Sequence, residues 1–106
     1  MNQRVREHLA SFNAAQRSGD WRPFLAGFAH DAVMSFAGMP AGPYTGRAAI
    51  AQAYAQRPPT DTMRAVSVRT EQDTDVVRFA WDAGGTGTMT LRWRDGQLTS
   101  LHVAFD

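Results

Sequence analysis

The sequence predicts an α+β fold, with three helices first and a meander of antiparallel strands after them. Three observations carry this. Apolar residues recur at helical spacing before Tyr54, the period turns strand-like from Thr62, and short Gly- or Asp-bearing turns divide the alternating part. Helices grouped ahead of strands build separate layers rather than a βαβ array. At 106 residues the chain has room for one domain, 1–106, with one core.

Val5, Leu9 and Phe12 fall at i, i+4 and i+7 among polar Arg4, Glu7 and Gln16, which makes an amphipathic first helix. It ends near Ser18-Gly19, where glycine takes the left-handed C-cap conformation without strain. Asp20 offers an N-cap to a second helix, Pro23 fits its first turn, and Trp21, Phe24, Leu25 and Phe28 form its apolar face. Ala32–Ala37 reads as a strand, with Val33, Ser35 and Ala37 on one side and Met34 and Phe36 on the other. Two glycines and two prolines between Gly38 and Pro43 exclude regular structure there. Thr45 caps a third helix, Arg47 to Arg57, which Pro58-Pro59 terminates.

Four β segments follow: Met63–Thr70, Asp75–Asp82, Thr86–Arg94 and Leu98–Phe105. Their turns are Glu71–Thr74, Ala83–Gly85 and Asp95-Gly96, the last a strong hairpin signal. Alternation gives an apolar face of Val77, Phe79, Trp81, Met89, Leu91, Trp93, Leu101, Val103 and Phe105. Arg78, Asp82, Thr88, Thr90, Arg92, Arg94, Ser100 and His102 take the other face. One apolar and one polar face describe a curved sheet covered by helices on one side.

Composition narrows the chemistry. Apolar residues at 43% and charged residues at 20% fit a globular protein. The chain has no cysteine, which excludes disulfides and thiol nucleophiles, and no lysine, which excludes Schiff-base chemistry on a lysine. Its arginines are scattered and the net charge is +1, so no basic stripe suggests nucleic acid as a partner. No apolar run suits a membrane span, and the polar start MNQRVREH lacks a leader's hydrophobic region, so cytoplasm is the expected location. His8, His30 and His102 share no metal-ligand spacing, and neither a metal nor an organic cofactor is expected.

The order helix, helix, strand, loop, helix and four strands resembles the NTF2-like superfamily, in its SnoaL-like and ketosteroid-isomerase-like branch. The residues that carry the resemblance are Ser18-Gly19-Asp20, the run from Phe28 to Ala32 before a strand, Gly46 to Ile50 leading to Tyr54, and the closing SLHVAF. It implies a cone-shaped sheet wrapped around the three helices (a cystatin-like α+β barrel) with a deep apolar pocket, and commonly a homodimer through the outer sheet face. Fold alone does not decide function, because such proteins include isomerases, cyclases, hydrolases and non-catalytic modules.

The isomerase chemistry does not carry over. The handed-down places of the oxyanion-hole tyrosine, the carboxylate base and the protonated acid fall at Phe12, Phe36 and Met89 (or Thr90 if the phase slips by one). A phenyl ring neither accepts a proton nor hydrogen-bonds an enolate. Arg92, Arg94 and Asp82 would resemble the family's epoxide-hydrolase constellation only with the strand phase flipped. That would expose Met89, Leu91 and Trp93 at about 1.5–3 kcal/mol each, so these charges belong outside.

Tyr54 is the remaining candidate for a catalytic group, its hydroxyl orienting a ligand carbonyl, with Ser35 as a second polar handle. The alternative for Tyr54 is a ring packed in the core. The expected ligand-binding wall comprises Phe12, Phe36, Tyr54, Trp81, Met89, Trp93 and Phe105, with Tyr44 near the mouth. His8 is expected on the exposed helix surface, His30-Asp31 at a solvated turn, and His102 on the outer sheet face. Two functions are open: a binder or isomerase/cyclase-type enzyme for a small hydrophobic (polycyclic or terpenoid-like) molecule, or a non-catalytic dimerisation or ligand-sensing module whose pocket its own side chains fill.

Overall fold

The computed structural model describes residues 2–106. Helix α1 (Gln3–Ser18) and a single helical turn α2 (Arg22–Leu25) lead into strand β1 (Phe28–Ala37). A two-residue strand β2 (Tyr44–Thr45) and helix α3 (Arg47–Gln56) precede β3 (Met63–Glu71), β4 (Thr74–Trp81), β5 (Thr86–Arg94) and β6 (Gln97–Phe105). The six strands form one sheet in the order β2-β1-β6-β5-β4-β3. β3 to β6 are the expected antiparallel meander, but β1 joins β6 in parallel. The sheet is therefore mixed, and β2 and β3 are free edges, so no barrel closes.

Strand curvature has local causes. Register shifts occur between Ala65 and Ser67 of β3, Arg92 and Trp93 of β5, and Phe28 and Val33 of β1. Each such irregularity bends its strand and increases the twist. The turns use the residues that turn geometry demands: Asp95 and Gly96 both take positive φ, 52° and 79°, as a two-residue hairpin of the inverse common type requires. The concave face and the helices share one core, in which Val5, Phe28, Ile50, Val77, Phe79, Leu91 and Leu98 are almost wholly buried.

Three local expectations are corrected. The second helix stops at Leu25 instead of reaching Phe28, because the Gly27 carbonyl accepts a bond from the Leu98 amide (2.9 Å) and the chain enters the sheet there. Phe28 still packs on Phe24, ring edge to ring face at 5.3 Å, so the apolar pattern is satisfied across a helix–strand junction. Asp20 caps no helix by itself; it accepts from the Arg22 amide and guanidinium. Thr45 pairs with Val33 in β2, and Gly46, at φ 93°, takes the N-cap position of α3.

Helix α1 is pinned by polar contacts at two places. At its start, Asp75 on β4 is fully buried and accepts from Asn2 Nδ2 (2.9 Å), Thr70 Oγ1 (2.6 Å), Arg4 Nε (2.6 Å) and Trp93 Nε1 (2.9 Å). Burial pushes this carboxyl up, but the hydrogen bonds from Arg4, Thr70 and Asn2 and the Arg4 charge outweigh it, and the net shift is downward. Further along, the Asn13 side chain donates to the Met63 carbonyl (2.8 Å) and accepts from its amide (2.9 Å).

Asp75→Asn should lower stability by about 3 kcal/mol, since it leaves the donors facing a neutral amide. A lower urea midpoint with unchanged slope is the expected reading. Gly87→Ala should cost about 1–3 kcal/mol by overpacking. A methyl group there would come within 2.6 Å of the buried Phe79 ring and 2.8 Å of the Ala104 carbonyl oxygen, and thermal unfolding of the purified variant checks the loss.

Candidate functional site

Between the helices and the concave face of the sheet lies an apolar cavity of about 320 Å³. Strand residues form its walls, among them Met34 and Phe36 of β1, Trp81 of β4, Met89 of β5 and Phe105 of β6. His8 and Phe12 of α1, Phe24 of α2 and Tyr54 of α3 form the helical side. Met39 and Phe105, exposed at 44% and 42%, and the exposed Arg57 mark the mouth. Three aromatic rings of the wall run nearly parallel: Phe36 and Phe105 are 8° apart at 6.2 Å, and Phe105 and Trp81 21° apart at 6.5 Å.

Among the described residues, the polar side chains that border this apolar space are His8, Tyr44, Tyr54 and Arg57. The Tyr54 ring is held by Trp21, stacked at 4.8 Å, and by Phe24, edge to face at 5.5 Å. Its hydroxyl has no hydrogen-bond partner among the described residues, and the residue borders both this cavity and a second pocket beside Trp21, Pro58 and Pro59. Burial pushes this phenol well above its ordinary value, so it stays protonated and can donate. His8 is half-buried among Phe24 (5.2 Å), Phe28 (6.4 Å) and Trp93 (6.2 Å). Desolvation lowers its pKa from 6.5 to about 4. At neutral pH His8 is therefore an uncharged imidazole with one donor and one acceptor nitrogen, and neither has a partner among the described residues.

Phe12, Phe36, Tyr44, Tyr54, Trp81, Met89 and Phe105 all border the cavity. Trp93 does not. Its indole donates to Asp75 and stands edge-on behind His8, one layer farther from the open space. Ser35 is no polar handle of the cavity: it lies on the outer face, hydrogen-bonded to His102 Nδ1 at 2.8 Å. Asp31 is an exposed partner of Arg94 (2.9 Å), Asp82 of Arg64 (3.4 Å), and Thr90 pairs across the ladder with His102. His30 is exposed within β1 rather than at a turn.

His8 is the main correction, since it lies at the cavity and not on the open helix surface. A signal for it existed: His8 sits three residues after Val5 and four before Phe12, on the apolar stripe. Arg57, three residues after Tyr54, was legible in the same way. Among the described residues no group of three His, Cys, Asp or Glu side chains could hold a metal ion. No helix among them is long and apolar enough to cross a membrane.

A mixed, curved sheet with three helices on its concave face and an apolar cavity between the layers defines the NTF2-like class. The chain belongs to the SnoaL-like family, whose domain description, "SnoaL-like domain", matches residues 5–101. A candidate isomerase from Bacillus subtilis superposes with a TM-score of 0.78 at 20% identity, covering 100% of this chain and 90% of that one. A candidate polyketide cyclase from Sinorhizobium meliloti gives 0.71 at 18% identity, covering 96% and 99%. TerC, co-crystallised with polyporic acid, gives 0.71 at 21% identity, covering 98% and 92%. These likenesses are of fold. No curated protein matches the sequence.

The burial of His8 has a measurable consequence. Its folded pKa lies below its unfolded value, so the unfolded chain binds more protons between pH 6.5 and 4. Stability should be complete above pH 6.5 and fall by about 3 kcal/mol as the pH drops through that window. The depressed carboxyls of Asp20, Asp31, Asp75 and Asp106 act lower, below their ordinary value of 3.8. His8→Gln should flatten the 6.5-to-4 segment of a pH series of urea unfolding curves and leave the steeper acid limb in place.

Proposed function

We propose that this SnoaL-like protein binds a small, flat, hydrophobic molecule of polycyclic or terpenoid-like size, with Tyr54 and His8 as the hydrogen-bonding groups of the cavity. One observation carries the reading: an open apolar space of about 320 Å³ bordered by the unpartnered side chains of Tyr54 and His8. Ligand sites of small molecules have this make-up, a mostly apolar wall with a few placed polar groups. The solved TerC structure, co-crystallised with polyporic acid, and the candidate cyclase and isomerase add support by fold.

No carboxylate borders the cavity among the described residues. Any proton transfer within it would therefore run through the neutral His8 imidazole or a phenol, Tyr54 or Tyr44, in an isomerase- or cyclase-type step on the bound molecule. The alternative, a non-catalytic module with a filled pocket and an apolar outer sheet face, has less support. Away from the cavity, Val66 is the one large apolar side chain that is well exposed among the described residues.

Fluorescence titration with a panel of steroids, polyketide-like aromatics and terpenoids tests the proposal. Saturable quenching should appear in the wild type, disappear in Trp81→Phe and persist in Trp93→Phe, because only Trp81 borders the cavity. Tyr54→Phe should weaken binding about two- to tenfold, the worth of one hydrogen bond. A flat response from folded protein across the panel would move the assignment to the filled-pocket module.

A further inference from the structure

We infer that the ligand of this cavity is an acid: a flat apolar body bearing one carboxylate, phenolate or acidic enol that meets the Arg57 guanidinium at the mouth. This rests on the binding function proposed above and specifies its chemical class.

The charges that border the cavity are the first ground. Its described lining includes His8, Tyr44, Tyr54 and Arg57 as ionisable groups, and no aspartate or glutamate. His8 and Tyr54 are both uncharged at neutral pH, for the reasons of burial given above. Arg57 therefore leaves the lining with a positive charge that nothing within it offsets. An amine would find no carboxylate there and would face a like charge. An anion would find an unengaged guanidinium, whose fork of donors matches a carboxylate or enolate edge.

The second ground is that Arg57 carries no internal counter-charge. Five of the other ten arginines, Arg4, Arg22, Arg64, Arg78 and Arg94, face an aspartate at 2.6 to 3.4 Å, and Arg47 donates to the Phe28 carbonyl (3.3 Å). Arg57 has no such partner among the described residues, although it borders the cavity. Its backbone is fixed at the end of α3, where its N–H donates a hydrogen bond to the Ala53 carbonyl (2.9 Å), and Pro58-Pro59 follow it. The arginine stem can lie along the apolar wall while the guanidinium stays in water.

Depth decides which end of the ligand carries the charge. At the inner end, beside His8, Phe24 and Trp93, an anion would lose its water and meet an uncharged imidazole, which is costly. At the mouth it keeps part of its hydration and gains the guanidinium. The neutral body then lies along the nearly parallel Phe36, Phe105 and Trp81 rings, which suit a planar molecule.

Calorimetric titration at pH 7.5 with three analogues of one shape separates the possibilities: 2-naphthoic acid, 2-naphthamide and 2-(aminomethyl)naphthalene. The acid should bind about five- to tenfold more tightly than the amide, and the amine most weakly. Arg57→Gln, an exposed substitution, should bring the acid to the amide's affinity and leave the amide unchanged. An acid no tighter than the amide in the wild type overturns the inference while the binding function stands. An advantage that survives Arg57→Gln but disappears in His8→Gln also overturns it and places the anion at the inner end. Failure of all three to bind folded protein overturns the binding function and this inference together.

Discussion

The buried carboxylate of Asp75 ties the helical layer to the sheet. An isolated charge at that depth would cost several kcal/mol, so its four donors are a condition of folding rather than an addition to it. They come from the start of α1, from β3 and from β5, while Asp75 itself belongs to β4. Hydrophobic contact alone would let a helix slide or roll on a concave apolar surface. Directional bonds to one carboxylate fix where α1 begins, and the Asn13–Met63 pair fixes its azimuth further along.

That mode of attachment sets the position of the cavity's helical side. The polar pins hold α1 at Asn2 and Arg4 and again at Asn13, and between them Val5, Leu9 and Phe12 are buried in the core shared with the sheet. His8 and Phe12 lie between the pins and border the cavity. The same network stiffens the inner end: Asp75 holds the Trp93 indole, and Trp93 stands edge-on against His8. An imidazole in that dry setting stays neutral, which makes it a hydrogen-bonding group of fixed charge through the physiological range.

Much of the fold was legible because the burial pattern of strands and helices is periodic. The four late strands, their turns and the inward set from Val77 to Phe105 follow from alternation. What escaped lay where two signals overlap. Phe28 completes a helical stripe and also begins a strand, and only the pairing of the Gly27 carbonyl with Leu98 decides between them. Trp93 shares the phase of Met89 and Leu91, but position along a strand, which periodicity does not report, puts it behind the cavity. Asp75 shares the phase of Val77 and Phe79, and a carboxylate on an apolar strand face was the available hint of a buried network. His8 was hidden by its charged neighbour Glu7, although its own spacing placed it with Val5 and Phe12.

The parallel partnership of β1 and β6 has a consequence for how the chain comes together. β6 follows the other five strands in the chain, yet it occupies an interior position between β1 and β5. Without β6 the remaining pairings fall into two groups, β2-β1 and β5-β4-β3, each with an unsatisfied edge facing the missing strand. The sheet is complete only when β6 joins them. Contacts of such sequence separation are slow to form and leave open edges in the meantime. Loss of β6 would thus divide the sheet through its middle, whereas an edge strand such as β2 could fray with little effect on the rest.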